Sequence, residues 1–284
     1  PTVPFPNPEE AGALDMAMEQ AREEGADLII AVDPDADRCA LAVPDPTSET
    51  GWSPLSGDQI GCLLGEFLAS RGMKGSLANS IVSSRLLSRI AHAHGLEHHT
   101  TLTGFKWIAR APGLGFGYEE AIGFCPDPGN VRDKDGIATS VVAASLVAAL
   151  KAQGRSVWDE LERLARLHGL HVSSPLTFRV EQIEQIAAGM ARLRAQPPSV
   201  LAGSPVVEVS DLSQGYRGLP PTDGVLVLTE AGDRVIARPS GTEPKLKCYL
   251  EVILPVAEGE PLPWEQARER LDAIKGAFAE IIGL

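Results

Sequence analysis

The 284-residue sequence is poor in cysteine, aromatic side chains, positive charge and long apolar runs. Each scarcity closes off a class of function. The four cysteines, Cys39, Cys62, Cys125 and Cys248, stand far apart with no CxxC pair. That spacing argues against a disulfide framework or a zinc site and for reduced thiols in a cytoplasmic setting. The net charge of −13 argues against general binding to nucleic acid or an anionic membrane, since both need basic surface. An anionic small substrate stays compatible, because it responds to a few local arginines and lysines. The longest uncharged run, "GIATSVVAASLVAAL" from Gly136 to Leu150, falls short of the ~20 residues that span a bilayer and suits a buried helix. No signal-peptide pattern opens the sequence. Its start, "PTVPFPNPEE", reads as a strand-to-helix connection, so a fragment of a longer protein is expected.

What is present is ordinary globular material: 44% hydrophobic and 22% charged residues, enough chain for two domains or one large one. Asn7 as a cap, Pro8 at the first helical position and Glu10 three residues after the cap predict a helix start, with Leu14, Met18 and Ala21 as its apolar face and Gly25 as its end. "ADLIIAV" then reads as a buried strand of a parallel sheet, which places the next loop at a strand's carboxyl end, where open sheets put ligands. Further alternation predicts helix 58–71, strand 75–83, helix 84–94 and strand 96–102. A glycine-rich connection, a loop, the apolar helix from Gly136 and a helix over 157–167 follow. From about Ser173 the pattern changes to a strand, a helix, four more strands and a final helix opened by Pro263 and Trp264. Leu246, Cys248, Leu250 and Val252 alternate with Lys247, Tyr249 and Glu251, as in a half-buried antiparallel strand. The fold class is therefore α/β followed by a smaller α+β unit.

Three loops carry chemistry. In "AVDPDADRCA", Asp33, Asp35 and Asp37 alternate and Arg38 follows. At ~5 Å and an effective dielectric near 20, each ionised carboxylate pair costs about 3 kcal/mol, more than one arginine offsets for three. A hard divalent cation such as Mg2+ does offset it; a solvated acidic turn is the plain alternative. Arg38 at the sixth position and Pro44 at the twelfth argue against an EF-hand. "RPSGTEPK" offers the hydroxyls of Ser240 and Thr242, close backbone approach at Gly241, and the cations Arg238 and Lys245, a set that makes a phosphate cradle; a plain hairpin turn is the alternative. "GYEEAIGF" presents Glu119 and Glu120 as acceptors for sugar hydroxyls. Downstream, "VRDKDG" sets Arg132 and Lys134 at a helix start whose amides favour anions, although a charged capping segment reads the same way. The histidines His92, His94, His98 and His99 read as a surface cluster with no carboxylate positioned beside them, and "GLGFG" reads as a flexible connection.

Taken together and in order, these loops resemble the α-D-phosphohexomutase family of phosphoglucomutases and phosphomannomutases. "DPDADR" is similar to its magnesium loop, "GYEEAIG" to its sugar-binding loop and "RPSGTEPK" to its phosphate-binding loop. "TGFKW" resembles a substrate-contacting segment, which adds Thr103, Gly104 and Lys106. The resemblance covers essentially the whole chain and implies residues 1–52 as the end of α/β domain two, 53–172 as α/β domain three and 173–284 as an α+β domain four. It implies interconversion of hexose 1-phosphate and hexose 6-phosphate through a phosphoserine and a hexose 1,6-bisphosphate, with Mg2+ on Asp33, Asp35 and Asp37. Arg38 would orient the phosphoryl group and Lys134 would act as general acid/base. Glu119 and Glu120 would bind or flank the sugar, while Arg132, Arg238, Ser240, Gly241, Thr242 and Lys245 would hold phosphate. Two departures stand out. No serine precedes His-Asn-Pro, so this chain alone is expected to be inactive, and Ala121 stands where many relatives carry a serine, which leaves glucose, mannose and pentose phosphates all compatible. The rival readings are a haloacid-dehalogenase-like phosphatase with Asp33 as nucleophile and Asp35 as acid/base, and a non-catalytic sugar-phosphate-binding protein.

Overall fold

Gly25 ends the first helix with φ +62°, but the helix begins later than the Asn7–Pro8 signal predicts: α1 covers Asp15–Glu24. Gly12, at φ +81°, breaks the turns that precede it, since that conformation lies outside the right-handed helix. Asn7 accepts the Glu9 N–H at 3.2 Å instead, closing a local turn. Leu14, Met18 and Ala21 do form the buried face, packed with Ile29, Ala42 and Trp52. The structure is a computed structural model describing residue 3, residues 6–240 and residues 244–283. It divides into two units, residues 1–163 and 164–284.

Unit 1 contains two sheets. In the first, β1 (Ile29–Val32), β2 (Cys39–Pro44) and β3 (Trp52–Pro54) lie in that order. The pairing corrects the parallel reading of "ADLIIAV": β1 runs antiparallel to β2, with Ile29 opposite Ala42 and Val32 opposite Cys39. Ile30 and Val32 are exposed, as one face of a half-covered strand. The second sheet follows α2 (Gly57–Ser70). Its elements are β4 (Ser76–Ser80), α3 (Leu86–Ala93), β5 (His98–Thr101), α4 (Phe105–Ile108), β6 (Leu114–Glu119) and β7 (Gly123–Cys125). Its strand order is β5-β4-β6-β7, with β4 parallel to β5 and β6 and with β7 returning antiparallel. Helices α5 (Gly136–Ala152) and α6 (Val157–His168) come next, and the division between units falls within α6.

"GLGFG" is the second correction. It is no flexible connection but the buried strand β6, in which Phe116 and Tyr118 are fully covered. Its glycines serve close packing: a Cβ on Gly115 would lie 2.4 Å from the Lys74 carbonyl oxygen. The same device recurs on α2, where Gly57, Gly61 and Gly65 recur at the four-residue spacing that shares one helix face. A Cβ on Gly61 would stand 2.4 Å from the Tyr118 ring, and one on Gly57 2.0 Å from the Glu120 carbonyl oxygen. The histidine reading also changes, because Glu66 on α2 reaches His94 Nε2 at 2.9 Å.

Unit 2 is a six-stranded antiparallel sheet with two helices. β8 (Leu170–Arg179), α7 (Ile183–Ala195), β9 (Val200–Leu201), β10 (Ser204–Asp211), β11 (Val225–Thr229), β12 (Arg234–Pro239), β13 (Lys245–Leu254) and α8 (Trp264–Ile282) follow in the chain. The strand order is β8-β13-β12-β11-β10-β9. Leu246, Cys248, Leu250 and Val252 face Met190 and Leu193 of α7 and Ile274 and Phe278 of α8 in one core. Glu251, expected on the polar face, is fully buried, beside His171 Nδ1 at 3.2 Å and Arg234 Nη2 at 3.5 Å.

The α2 packing makes a direct prediction. Tyr118 is pinned by its hydroxyl donating to Asp58 at 2.9 Å, so its ring has no room to yield. Gly61→Ala is expected to cost about 1–3 kcal/mol of stability by overpacking, despite the better helix propensity of alanine. Urea denaturation checks it, and an unchanged or raised midpoint contradicts it.

Candidate active site

Three segments of unit 1 meet through their backbones. Cys39 N–H, leaving the Asp-rich turn between β1 and β2, donates to the Ile122 carbonyl at 3.0 Å, and Arg38 bridges to Gly123. Gly136 N–H, opening α5, donates to the Ala36 carbonyl at 3.0 Å, and Asp135 N–H donates to Phe124 at 2.8 Å. Only glycine fits at 136: a Cβ there would lie 2.6 Å from the Ala36 oxygen and 2.7 Å from that of Arg38. The turn itself reverses through Ala36 at φ +57°.

On this frame Asp33 is buried and its carboxylate accepts from Arg38 twice, from the backbone N–H at 3.1 Å and from Nε at 2.9 Å. Burial pushes its pKa up, but the Arg38 contacts outweigh it and hold the group below the ordinary carboxylate range. Asp37 pairs with Lys134 Nζ at 3.1 Å, and the same ammonium stands 3.9 Å from Glu119. Asp35 is exposed. Among the described residues no group of three acidic, histidine or cysteine side chains is arranged to hold a metal ion. Arg38 and Lys134 draw two of the carboxylates to themselves. The donor chemistry nonetheless fits a hard divalent cation, because acids remain in excess. Burial raises Glu119 to about 7; Lys134 opposes the shift, while Glu120, Asp37 and Asp133 add to it.

Glu120 is the next correction. Its carboxylate accepts from the buried hydroxyls of Ser80 and Ser83, each at 3.1 Å, so it braces the β6–β7 turn against the end of β4. The α5 amides are likewise less open than expected, since Asp135 caps the helix by accepting from Ala138 N–H at 2.9 Å. Arg132 is exposed on the connection into α5. Thr103 and Gly104 follow β5, at the same carboxyl end of the parallel strands as Ser80 and Glu119. Lys106 is exposed, with Nζ 5.9 Å from the Trp107 ring centroid.

In unit 2, Arg238, Ser240 and Lys245 lie where β12 turns into β13, and Ser240 N–H donates to the Lys245 carbonyl at 2.8 Å. Gly241 and Thr242 lie outside the described residues. Strand register adds two residues that sequence reading missed. Lys245 is paired with Arg179 of β8, and Arg238 with Lys247. Directly paired residues share a face, so four cations gather on one side of the sheet, where opposed like charges are unfavourable unless an anion offsets them. The signal was a basic residue near the end of β8 and of β12 and two at the start of β13, but only pairing brings them together.

These features define an α/β unit with an acidic loop cluster, joined in the chain to an antiparallel α+β unit with a basic hairpin. The fold is shared with the exocytosis-sensitive phosphoprotein parafusin, a phosphoglucomutase from Paramecium, at a TM-score of 0.69 and 19% identity over 99% of this chain and 51% of that one. Sequence models of phosphoglucomutase/phosphomannomutase domain II match residues 1–47, of domain III residues 56–167, and of the C-terminal domain residues 176–262. The chain belongs to this phosphoglucomutase/phosphomannomutase family. A "Probable phosphomannomutase" of Haemophilus influenzae is 46% identical over 253 residues, 88% of this chain and 51% of that protein. A "Probable phosphoribomutase" of Schizosaccharomyces pombe is 33% identical, over 88% of this chain and 47% of that protein. The chain thus spans about half the length of these curated relatives. The phosphatase alternative gives way to the family and to the geometry, since Asp33 is held by Arg38 rather than presented as a nucleophile.

The raised Glu119 sets a sign for pH dependence. An acid whose folded pKa lies above its unfolded 4.5 contributes stability below 4.5 that is lost as pH rises through about 7. In EDTA, Glu119→Gln should leave stability nearly unchanged at pH 4 and raise it above pH 7, by on the order of 3 kcal/mol at most. Urea titrations at both pH values check this, and a gain independent of pH contradicts it.

Proposed function

We propose that this chain supplies the metal-, sugar- and phosphate-binding parts of a phosphohexomutase that interconverts hexose 1-phosphate and hexose 6-phosphate through a phosphoserine and a hexose 1,6-bisphosphate. The observation that carries the reading is the backbone joining of the Asp-rich turn, the Glu119 turn and the Lys134 segment, which puts Lys134 Nζ within 3.9 Å of both Asp37 and Glu119. On this reading residues 1–52, 53–172 and 173–284 act as the end of domain two, domain three and domain four. The family match over 1–47, 56–167 and 176–262 supports that division.

Phosphoryl transfer needs positioning and charge neutralisation more than covalent help from the protein. Mg2+ on Asp33, Asp35 and Asp37 would supply that neutralisation. Arg38 orients the phosphoryl oxygens, and Glu119 accepts hydrogen bonds from sugar hydroxyls. Lys134 moves a proton at the reacting oxygen. Thr103, Gly104 and Lys106 border the sugar from the end of β5. Arg132, Arg238, Ser240, Gly241, Thr242 and Lys245 hold the phosphate that does not react, with Arg179 and Lys247 extending the basic face. The relatives' names cover mannose, ribose and glucose phosphates, and Ala121 offers a methyl group rather than a hydroxyl to distinguish among them. The sequence contains no Ser-His-Asn-Pro, so the 284 residues alone bind substrate without turning it over.

Calorimetric titration with glucose 1,6-bisphosphate and Mg2+ tests this. Saturable binding is expected. Arg238→Ala should weaken it about tenfold or more, the loss of one charge-assisted pair, and Arg179→Ala or Lys247→Ala by a smaller factor. Absence of binding by the unmodified chain overturns the reading, and multiple-turnover mutase activity from the purified chain overturns its inactivity.

A further inference from the structure

Away from the loop cluster, unit 1 contains a cavity of about 400 Å³ that none of the chemistry above uses, bounded by α2, α5 and α6. Three guanidinium groups line it, from Arg71, Arg155 and Arg163, with two carboxylates, from Glu66 and Glu160. Both carboxylates are buried and fully engaged. Glu160 accepts from Arg155 Nη2 at 2.5 Å, from Arg163 Nε at 3.0 Å and from Arg163 Nη2 at 2.7 Å. Glu66 accepts from Arg163 through one oxygen and meets His94 Nε2 at 2.9 Å through the other.

The donors are not used up. A guanidinium carries five N–H groups. Among the described residues, the Arg155 side chain commits only Nη2, and the Arg71 side chain commits none. Arg71 instead stands over the Phe67 ring, with Cζ 4.4 Å from the centroid. Three positive groups against two negative ones leave a positive balance, and the acceptors that would compete for a ligand's place are already occupied. The wall from α5 is apolar, made by Leu146, Ala149 and Leu150. The volume lies within the range of small-molecule sites.

We propose that this cavity binds a small organic oxyanion: a phosphate or carboxylate group held by Arg71 and Arg155, on a body whose apolar face rests against α5. Donor surplus at one side selects the anion, and the apolar wall selects a carrier with a non-polar face. The site is separate from the loops assigned to the mutase chemistry and does not depend on that assignment.

Arginine Nε–Hε resonances of the 15N-labelled 284-residue chain test it directly. Inorganic phosphate, benzoate and neutral benzyl alcohol are each titrated at constant ionic strength. The expected result is saturable shifts of Arg71 and Arg155 with a common midpoint for phosphate, benzoate or both, and none with benzyl alcohol. Phosphate alone identifies a phosphate-ester source, and benzoate alone a carboxylate source. Arg71→Gln, which breaks no ion pair, should weaken the midpoint roughly tenfold. Linear shifts without saturation for both anions overturn the proposal, as does an unchanged midpoint in both Arg71→Gln and Arg155→Gln.

Discussion

The approach of Gly136 to the Ala36 carbonyl is the contact on which the acidic site depends. It brings the first turn of α5 against the Asp-rich turn at a distance no other residue permits. Lys134, two residues upstream, is thereby delivered between Asp37 of the β1–β2 turn and Glu119 at the end of β6. A lysine on a freely moving loop would pay about 2 kcal/mol of rotamer entropy to be held there. Backbone bonds at Asp135 and Gly136, immediately after it, fix the main chain from which the side chain reaches.

Charge balance then decides the chemistry of each unit. In unit 1 the acids outnumber their partners. Arg38 and Lys134 act as internal counter-ions to Asp33 and Asp37, while Glu119 is raised mainly by burial, with Glu120, Asp37 and Asp133 adding to the shift. A phosphate entering such a field needs additional positive charge, which is the role proposed for Mg2+. In unit 2 the imbalance is reversed, with Arg179, Arg238, Lys245 and Lys247 on one face. The described loops of unit 1 thus carry an excess of acids, and the β12–β13 end of unit 2 carries an excess of cations.

Patterns that act locally were legible in the sequence. The alternation along β13 gave an element of the right kind, because burial imposes its period directly; the apolar run gave the helix α5 but not its burial, since only one face is covered and Ile137 and Val141 are exposed. The acidic turn stood out because three aspartates alternate in the sequence, but the pairing of Asp37 with Lys134 could not be read there. What escaped depends on partners distant in sequence. The opposition of Arg179 to Lys245 needs strand register, and the bond of Glu120 to Ser80 and Ser83 needs β6 beside β4. The start of α1 was misplaced because Gly12 breaks the turns beneath a sound capping pattern. β6 was misread because glycine suggests flexibility when considered alone, although here it marks surfaces packed too closely for a side chain.

That last misreading shows how the site is built. The β6–β7 turn is approached from one side by Gly57 of α2, whose missing Cβ makes room for the Glu120 carbonyl, and is joined on the other to the Asp-rich turn that Gly136 supports. Each helix glycine costs about 1 kcal/mol relative to alanine. That cost is set against the larger penalty of displacing a fully buried Tyr118 or separating the acidic turn from α5. Backbone-to-backbone contacts have no rotamers, so they hold a spacing that side-chain packing would leave adjustable. Glu119 and Lys134 therefore stand on supports fixed by backbone contacts, while Asp35 and Arg132 are exposed. Fixed backbone thus lies beneath the acid proposed to face the sugar and the proposed proton carrier.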